Sequence, residues 1–280
     1  MTFHGIMKAA IYVGKDGAAN DPRLTFFVDS LRGGGCSVYS VETREDLKPE
    51  TDMLISVGGD GSFLLASMLA GDSNIPVLGV NLGRLGFLSE NHPENLASAV
   101  LAGDYSVQDR AILKAAISPE TGNPMIDSWP YALNEISVHR RGAAMLGVDV
   151  TVDGIALPTY WSDGLLVSTS SGSTAYSLSV GGPIVLPEAR VLIIAPIAPH
   201  NLNVRPLIVS DDAKISISLR SRDESVVLNA DNRTAEVPAD TQLNVSLAQF
   251  SLRRVQLNRS NFIKALTEKL FWGEDVRNVK

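Results

Sequence analysis

Apolar residues in the first third of the chain come in short runs separated by polar stretches. Residues 8–13 (Lys-Ala-Ala-Ile-Tyr-Val) have the length of a strand. Residues 23–32 repeat apolar positions near every 3.6 residues, the stripe of an amphipathic helix, and Gly33-Gly34-Gly35 stops it. Further strand-length runs fall at 37–41, 53–57 and 76–81, with helix-like patterns at 63–69 and 93–102 between and after them. Strands alternating with helices predict a parallel sheet flanked by helices.

From about residue 110 to 258 the period changes to two. Residues 114–117, 135–139, 147–152, 164–168, 190–195, 214–219, 225–229 and 243–247 read as strands, separated by Gly, Pro and Asn-Asp clusters. Many short strands with regular turn signals predict a β-sandwich-like domain. Residues 262–271 return to a helical pattern, and this last helix is expected to pack back on the first domain. The expected fold class is therefore α/β plus all-β. An α/β domain would be formed by 1–112 and 260–280, and a β-rich domain by 113–259. Pro196-Ile197-Ala198-Pro199 carries two prolines and is read as lying outside any central strand.

Bulk properties narrow the function. The 280 residues suffice for two domains and a large core. A net charge of −7 and the absence of a basic stripe argue against a nucleic-acid partner. Arg140-Arg141 and Arg253-Arg254 are read as solvated edges. The single cysteine, Cys36, excludes an internal disulfide and suits a reducing, cytoplasmic compartment. The histidines show no metal-ligand spacing. No signal-peptide pattern and no apolar run long enough to span a bilayer is present, so no membrane association is expected.

The densest chemical signal is Val57-Gly58-Gly59-Asp60-Gly61-Ser62, at the end of a predicted strand and the start of a predicted helix. Ligands bind at that end of an open parallel sheet. Glycines let backbone N–H groups approach phosphate, and a helix N-terminus favours anions. A carboxylate repels phosphate, so Asp60 suits a proton acceptor or an indirect magnesium contact. A tight turn with Asp60 as helix cap fits the same residues. The segment lacks the Gly-Lys-Ser/Thr ending of a P-loop, and no Gly-x-Gly-x-x-Gly follows the first strand.

Three more segments stand out. Asn81-Leu82-Gly83-Arg84-Leu85-Gly86-Phe87-Leu88-Ser89 follows a strand with two glycines three apart. Asn134-Glu135 heads a strand and could grip ribose hydroxyls or serve as a turn. The run from Asp163 through Gly172-Ser173-Thr174-Ala175-Tyr176-Ser177-Leu178-Ser179 to Gly181-Gly182-Pro183 crowds hydroxyls beside glycines, with Tyr176 able to stack on a base.

Taken together and in order, these motifs, with Pro196-Ile197-Ala198-Pro199-His200, resemble the NAD kinase family. The Gly-Gly-Asp-Gly motif is shared with lipid kinases and phosphofructokinases; the block 172–179 is more specific. The resemblance implies transfer of the γ-phosphate of ATP, or of another donor, to the 2′-hydroxyl of NAD's adenosine ribose. It implies a divalent metal, Mg2+, and a homo-oligomer, dimer or tetramer. It makes Asp60 the general base, with Gly61 beside the ribose and phosphates and Phe87 a further contact. Asn134 and Glu135 would hold ribose hydroxyls and Asp163 the nicotinamide amide. Thr174, Ala175, Tyr176, Ser177, Leu178 and Ser179 would form the adenine pocket. Ala198 would reach a neighbouring subunit's cofactor. Asp231-Asn232-Arg233 stands where Asp-Gly-Gln is frequent, with Asn232 taken as the ligand contact. Two rival readings are a lipid or sphingoid-base kinase, disfavoured by the acidic composition, and a non-catalytic NAD-binding module, disfavoured by the presence of Asp60.

Overall fold

The computed structural model describes residues 6–14, 20–83, 86–94, 96–258 and 261–270. It forms two compact units: 1–109 with 252–280, and 110–251.

The first unit is built on a six-stranded sheet in the order β2-β1-β3-β4-β19-β5. The strands are β1 (Lys8–Val13), β2 (Ser37–Ser40), β3 (Met53–Val57), β4 (Val77–Val80), β5 (Tyr105–Arg110) and β19 (Leu252–Leu257). The pairings β1–β2, β1–β3, β3–β4 and β4–β19 are parallel. Every residue of β3 and β4 is buried, as expected when helices cover both faces of a parallel sheet. Helices α1 (Pro22–Gly33) and α3 (Leu96–Ala102) contribute Leu24, Phe27, Leu31, Leu96 and Val100 to one core face. Asp21 caps α1, accepting from the Arg23 N–H at 2.8 Å, and Pro22 occupies the first turn, where a missing N–H costs nothing. Helix α2 (Asp60–Ala70) lies on the opposite face, its Phe63 against Gly79 of β4. Helix α6 (Phe262–Leu270) belongs to this unit, as the pattern predicts, and Asn261 caps it by accepting from the Ile263 N–H at 2.9 Å.

The second unit is a sandwich of two sheets. One has the order β10-β9-β15-β18-β6-β7, with β11 also on β9; the other runs β14-β13-β12-β8-β16-β17. The first sheet holds β6 (Leu113–Ser118), β7 (Tyr131–Ala132), β9 (Leu146–Val152), β10 (Ile155–Ala156), β11 (Tyr160–Ser162), β15 (Ile215–Arg220) and β18 (Gln242–Leu247). The second holds β8 (Glu135–Arg140), β12 (Gly164–Thr169), β13 (Val191–Ile197), β14 (Leu207–Ser210), β16 (Ser225–Ala230) and β17 (Arg233–Pro238). Alternate residues from both sheets, among them Val148, Ile217 and Val245 facing Ile136, Leu165 and Leu228, form one apolar core. Short helices α4 (Pro124–Asp127) and α5 (Tyr176–Ser179) punctuate the loops.

Three expectations need correction. Residues 252–257, assigned from sequence to the β-rich domain, form the first unit's β19, and the crossover back lies at 251–252 rather than near 260. Pro196 lies within β13, an interior strand, paired with Leu165 of β12. The proline is tolerated because β14 pairs β13 only over Val191 to Ile194, so that flank of Pro196 has no strand needing an N–H. Arg254 is no solvated edge: it is 5% exposed and ion-paired with Glu90 at 2.9 Å. The predicted helix over 93–102 starts at Leu96, and Arg84, Leu85, Asn95 and Phe271 lie outside the described residues.

Candidate active site

The sequence-predicted residues fall into two groups, one in each unit. In the first, β3 ends at Val57, Gly58-Gly59 make the turn, and α2 begins at Asp60. Gly58 has φ +140°, which side-chain-bearing residues rarely adopt, and a Cβ there would strike Ser62. Asp60 is not a bare helix cap. Its Oδ1 accepts from the N–H groups of Leu88 at 3.0 Å and Ser89 at 2.8 Å, and its Oδ2 from that of Phe87 at 2.9 Å. The 86–89 loop therefore wraps the carboxylate. It can come this close only because residue 86 is glycine: a Cβ there would stand 1.9 Å from Asp60 Oδ1. Ser89 Oγ donates to the Gly58 carbonyl at 2.6 Å, locking the loop to the glycine turn. Among the described residues Oδ2 takes a single bond, which leaves it capacity to accept one more proton donor. Gly61 is exposed beside it and Phe87 is half-buried.

In the second unit, Asn134 and Glu135 stand at the head of β8, and three neighbours fix them. The Asp231 carboxylate accepts from the N–H groups of Leu133 and Asn134, each at 2.8 Å, and of Glu135 at 3.3 Å. Thr169 Oγ1 donates to the Leu133 carbonyl at 2.7 Å, and Ser168 Oγ to the Asn134 carbonyl at 3.1 Å. The backbone is thus spoken for, while Asn134 Oδ1 and Glu135 Oε2 are buried and find no protein partner among the described residues. Buried polar atoms ordinarily have partners, so two orphans side by side mark a place where a hydroxyl-bearing ligand would fit.

Burial, and then the Asp231 charge, push the Glu135 carboxyl up to about 8, against a bond from the Tyr176 N–H that favours the charged form. Between the ordinary carboxyl value and 8 the folded chain holds a proton that the unfolded chain has released. The contribution of Glu135 to stability is then fully present below about pH 4.5 and is lost as pH rises towards 8, by at most about 1.4 kcal/mol per pH unit. Denaturant unfolding between pH 5 and 8 is expected to show this decline in the parent protein and a flatter profile in Glu135→Gln. Parallel profiles would mean that Glu135 is ionised throughout.

The serine-rich block serves its own scaffold more than its composition suggested. Ser170 and Ser173 donate to the Pro187 and Val185 carbonyls, and Ser179 to that of Tyr176. Ser177 Oγ is buried and unpartnered among the described residues. The Tyr176 ring stacks on His139 with centroids 5.7 Å apart and planes 8° from parallel. His139 also meets Ser137 Oγ at 2.9 Å, and Asn229 donates to Ser137 at 3.3 Å. Sequence reasoning passed over Ser137, His139 and Asn229. The signal was there in Glu135-Ile136-Ser137-Val138-His139, where polar residues hold every second position and so share one face of β8. Burial lowers the His139 basicity, with Asp163 opposing. Asp163 is ion-paired with Arg140 at 2.6 Å. Asp163 and the exposed Ala198, at φ 45°, are near neighbours, because the Asp163 N–H donates to the Ile197 carbonyl at 2.9 Å. Asn232 is exposed at the tip of the β16–β17 turn, and Asp231 beside it carries the structural load.

Comparison with known proteins decides the family. Residues 36–105 match the ATP-NAD kinase N-terminal domain and residues 133–257 the ATP-NAD kinase C-terminal domain. The NAD kinase of Flavobacterium psychrophilum is 41% identical over 240 residues, spanning 84% of this chain and 81% of that one. The chain belongs to the NAD kinase family. As an NAD kinase it is a phosphotransferase. The NAD kinase of Cytophaga hutchinsonii is 40% identical over 246 residues, covering 86% of this chain and 83% of its own. Among solved structures, an NAD kinase from Archaeoglobus fulgidus in complex with ATP superposes with a TM-score of 0.75 at 28% identity, covering 95% and 99% of the two chains. Yeast NADH kinase complexed with NADH shares the fold, with a TM-score of 0.85 at 23% identity over 98% and 90% of the two chains.

Proposed function

We propose that this NAD kinase moves the γ-phosphate of ATP to the 2′-hydroxyl of NAD's adenosine ribose, with Asp60 as general base. The observation that carries this reading is the carboxylate itself, held by three N–H bonds at the head of α2 beside the glycine turn. A side chain needed only as a helix cap would not require an opposing loop to aim it. A lone pair of Asp60 Oδ2 accepts the hydroxyl proton as the oxygen attacks phosphorus and the bond to the leaving ADP oxygen breaks. The transition state of phosphoryl transfer is loose, so this proton moves late and positioning supplies most of the acceleration.

Gly61 and Phe87 flank the reacting ribose in this reading. Asn134 Oδ1 and the protonated Glu135 carboxyl hold ribose hydroxyls, one accepting and the other able to donate. Asp163 takes the nicotinamide amide, 174–179 the adenine, and Asn232 an outer edge of the ligand. Among the described residues no three His, Cys, Asp or Glu side chains cluster as a metal cage. Mg2+ keeps several waters and needs few protein ligands, so it would enter on the phosphates of ATP, and the Asp60 carboxylate would be the protein group to face its water shell. When bound, that ion supplies positive charge against the transferred phosphoryl oxygens.

Purified protein supplied with ATP and Mg2+ is expected to phosphorylate NAD and to leave diacylglycerol and sphingoid bases untouched; phosphorylation of a lipid instead would select the rival kinase reading. Tyr176→Ala should weaken NAD binding by about 1–3 kcal/mol, the usual worth of an aromatic wall against a base, and ATP binding by less. Equal losses for both nucleotides by calorimetry would remove Tyr176 from the acceptor pocket. No helix among the described residues is long and apolar enough to cross a membrane; we place the enzyme in the cytoplasm on its single, buried thiol. We further propose a homo-oligomer, dimer or tetramer, in which Ala198 reaches a neighbouring subunit's cofactor. Sedimentation should then find a species larger than the 29.9 kDa monomer, and Ala198→Asp should reduce both assembly and NAD affinity. A fully active monomer would contradict that arrangement.

A further inference from the structure

Helix α6 carries a charge where its pattern calls for an apolar residue. Phe262, Ala265, Leu266 and Lys269 fall at spacings of three, four and seven, on one face. Ala265 and Leu266 are buried, and Phe262 meets the Phe87 ring with centroids 6.1 Å apart. Lys269 completes this stripe, and its ammonium is partly withdrawn from water. It donates to the Gly86 carbonyl and lies 5.0 Å over the Phe87 ring. The next carbonyls of the same loop are taken by a second cation: Arg254 Nη2 donates to Phe87 O at 3.1 Å and to Leu88 O at 3.3 Å. Arg254 is itself anchored by Glu90. The carbonyls of 86–88 are thus held by Lys269 and Arg254, the N–H groups of 87–89 turn onto the Asp60 carboxylate, and the Gly86 N–H closes the loop on the Ser89 carbonyl at 3.0 Å.

We propose that Lys269 is a positioning residue for Asp60: by fixing the Gly86 carbonyl and the Phe87 ring it sets the loop whose N–H groups aim the carboxylate. An exposed lysine on a terminal helix would be an interchangeable solubilising charge. This one gives up hydration for a backbone carbonyl and an aromatic face, which is worthwhile only if the loop must stay in one conformation. Arg254 contributes to the same clamp, but its buried pairing with Glu90 makes it a poor test residue, because removing one partner of such a pair destabilises the fold. The inference rests on the assignment of Asp60 as the base.

Lys269→Met keeps the stem and deletes the charge. In the full-length protein it is expected to lower kcat about tenfold while the KM values for NAD and ATP stay within about threefold, the signature of misplaced chemistry with intact binding. Amide exchange at 87–89 should accelerate by about tenfold or more as the clamp opens. Lys269→Arg, which restores a donor and a cation, should recover most of kcat. Lys264→Met, an exposed site on the same helix ion-paired with Glu268, should behave as the parent. Unchanged exchange at 87–89 in Lys269→Met would overturn the proposal, and so would an equal loss of kcat in Lys264→Met, which would trace the effect to helix stability. Asp60→Asn measured alongside separates the two ideas. If it retains turnover, the base assignment falls while the exchange data still judge the clamp; if it is inactive and Lys269→Met is normal, only the clamp falls.

Discussion

Asp60→Asn is expected to lower kcat by about 10²–10⁴-fold, the usual worth of a general base, while NAD binding measured by calorimetry survives. The asparagine fills the same space and keeps one acceptor oxygen. Its amide nitrogen must still confront at least one of the three N–H groups that the carboxylate satisfies, so a stability loss of about 1–3 kcal/mol should accompany the kinetic one. Thermal unfolding separates these effects, since a folded, NAD-binding, inactive variant is the expected product. Turnover within a few-fold of the parent would mean that the carboxylate serves the loop alone.

Gly86→Ala should come second in size, although residue 86 need touch no substrate. An added Cβ would stand 1.9 Å from Asp60 Oδ1 and 2.6 Å from Oδ2, so either the carboxylate or the loop must move. A displacement of about 1 Å at a reacting group can cost about 100-fold in rate, and a loss of that order in kcat is expected. The Cβ meets the end of a side chain rather than backbone, so the fold should survive. Gly83→Ala provides the contrast, because among the described residues its Cβ would meet only Asn81 Oδ1, at an ordinary 3.6 Å. Comparable kcat losses in both variants would point to general disturbance of the loop and away from the carboxylate.

The fold was legible in most strands whose burial is one-sided or complete, with Arg233–Pro238 the exception: its burial alternates strictly, yet charge at Arg233 and Glu236 hid it. The boundaries of β1 and β3 match the sequence reading residue for residue, because mostly apolar runs end there at Gly14 and Gly58. The strands that escaped notice have mixed surroundings. Tyr105–Arg110 and Leu252–Leu257 interleave charge with apolar residues, and Leu207–Ser210 is an edge strand whose side chains are mostly exposed. Pro196 misled for a related reason: a proline looks disqualifying until the short reach of β14 is known, and strand length in a partner cannot be read from the proline's neighbours.

The candidate site was legible as motifs and illegible as a network. Asp60, Asn134 and Glu135 announce themselves by type and place. Nothing in the sequence says that Asp60 takes its bonds from residues 87–89, that Asp231 holds the Asn134-Glu135 backbone, or that Arg254 and Lys269 clamp a loop more than 160 residues earlier. Contacts of such separation come from sheet order, and the return of the chain into β19 and α6 was the part of the topology the sequence placed only in outline.

Transfer of a γ-phosphate labelled in ATP is the most direct measurement of the central claim. Incubated with labelled ATP, Mg2+ and NAD, the enzyme should produce NADP carrying the label at the 2′ position of the adenosine ribose, and an NAD analogue lacking that hydroxyl should accept none. Label appearing at another position, or in the 2′-deoxy analogue, would contradict the assignment.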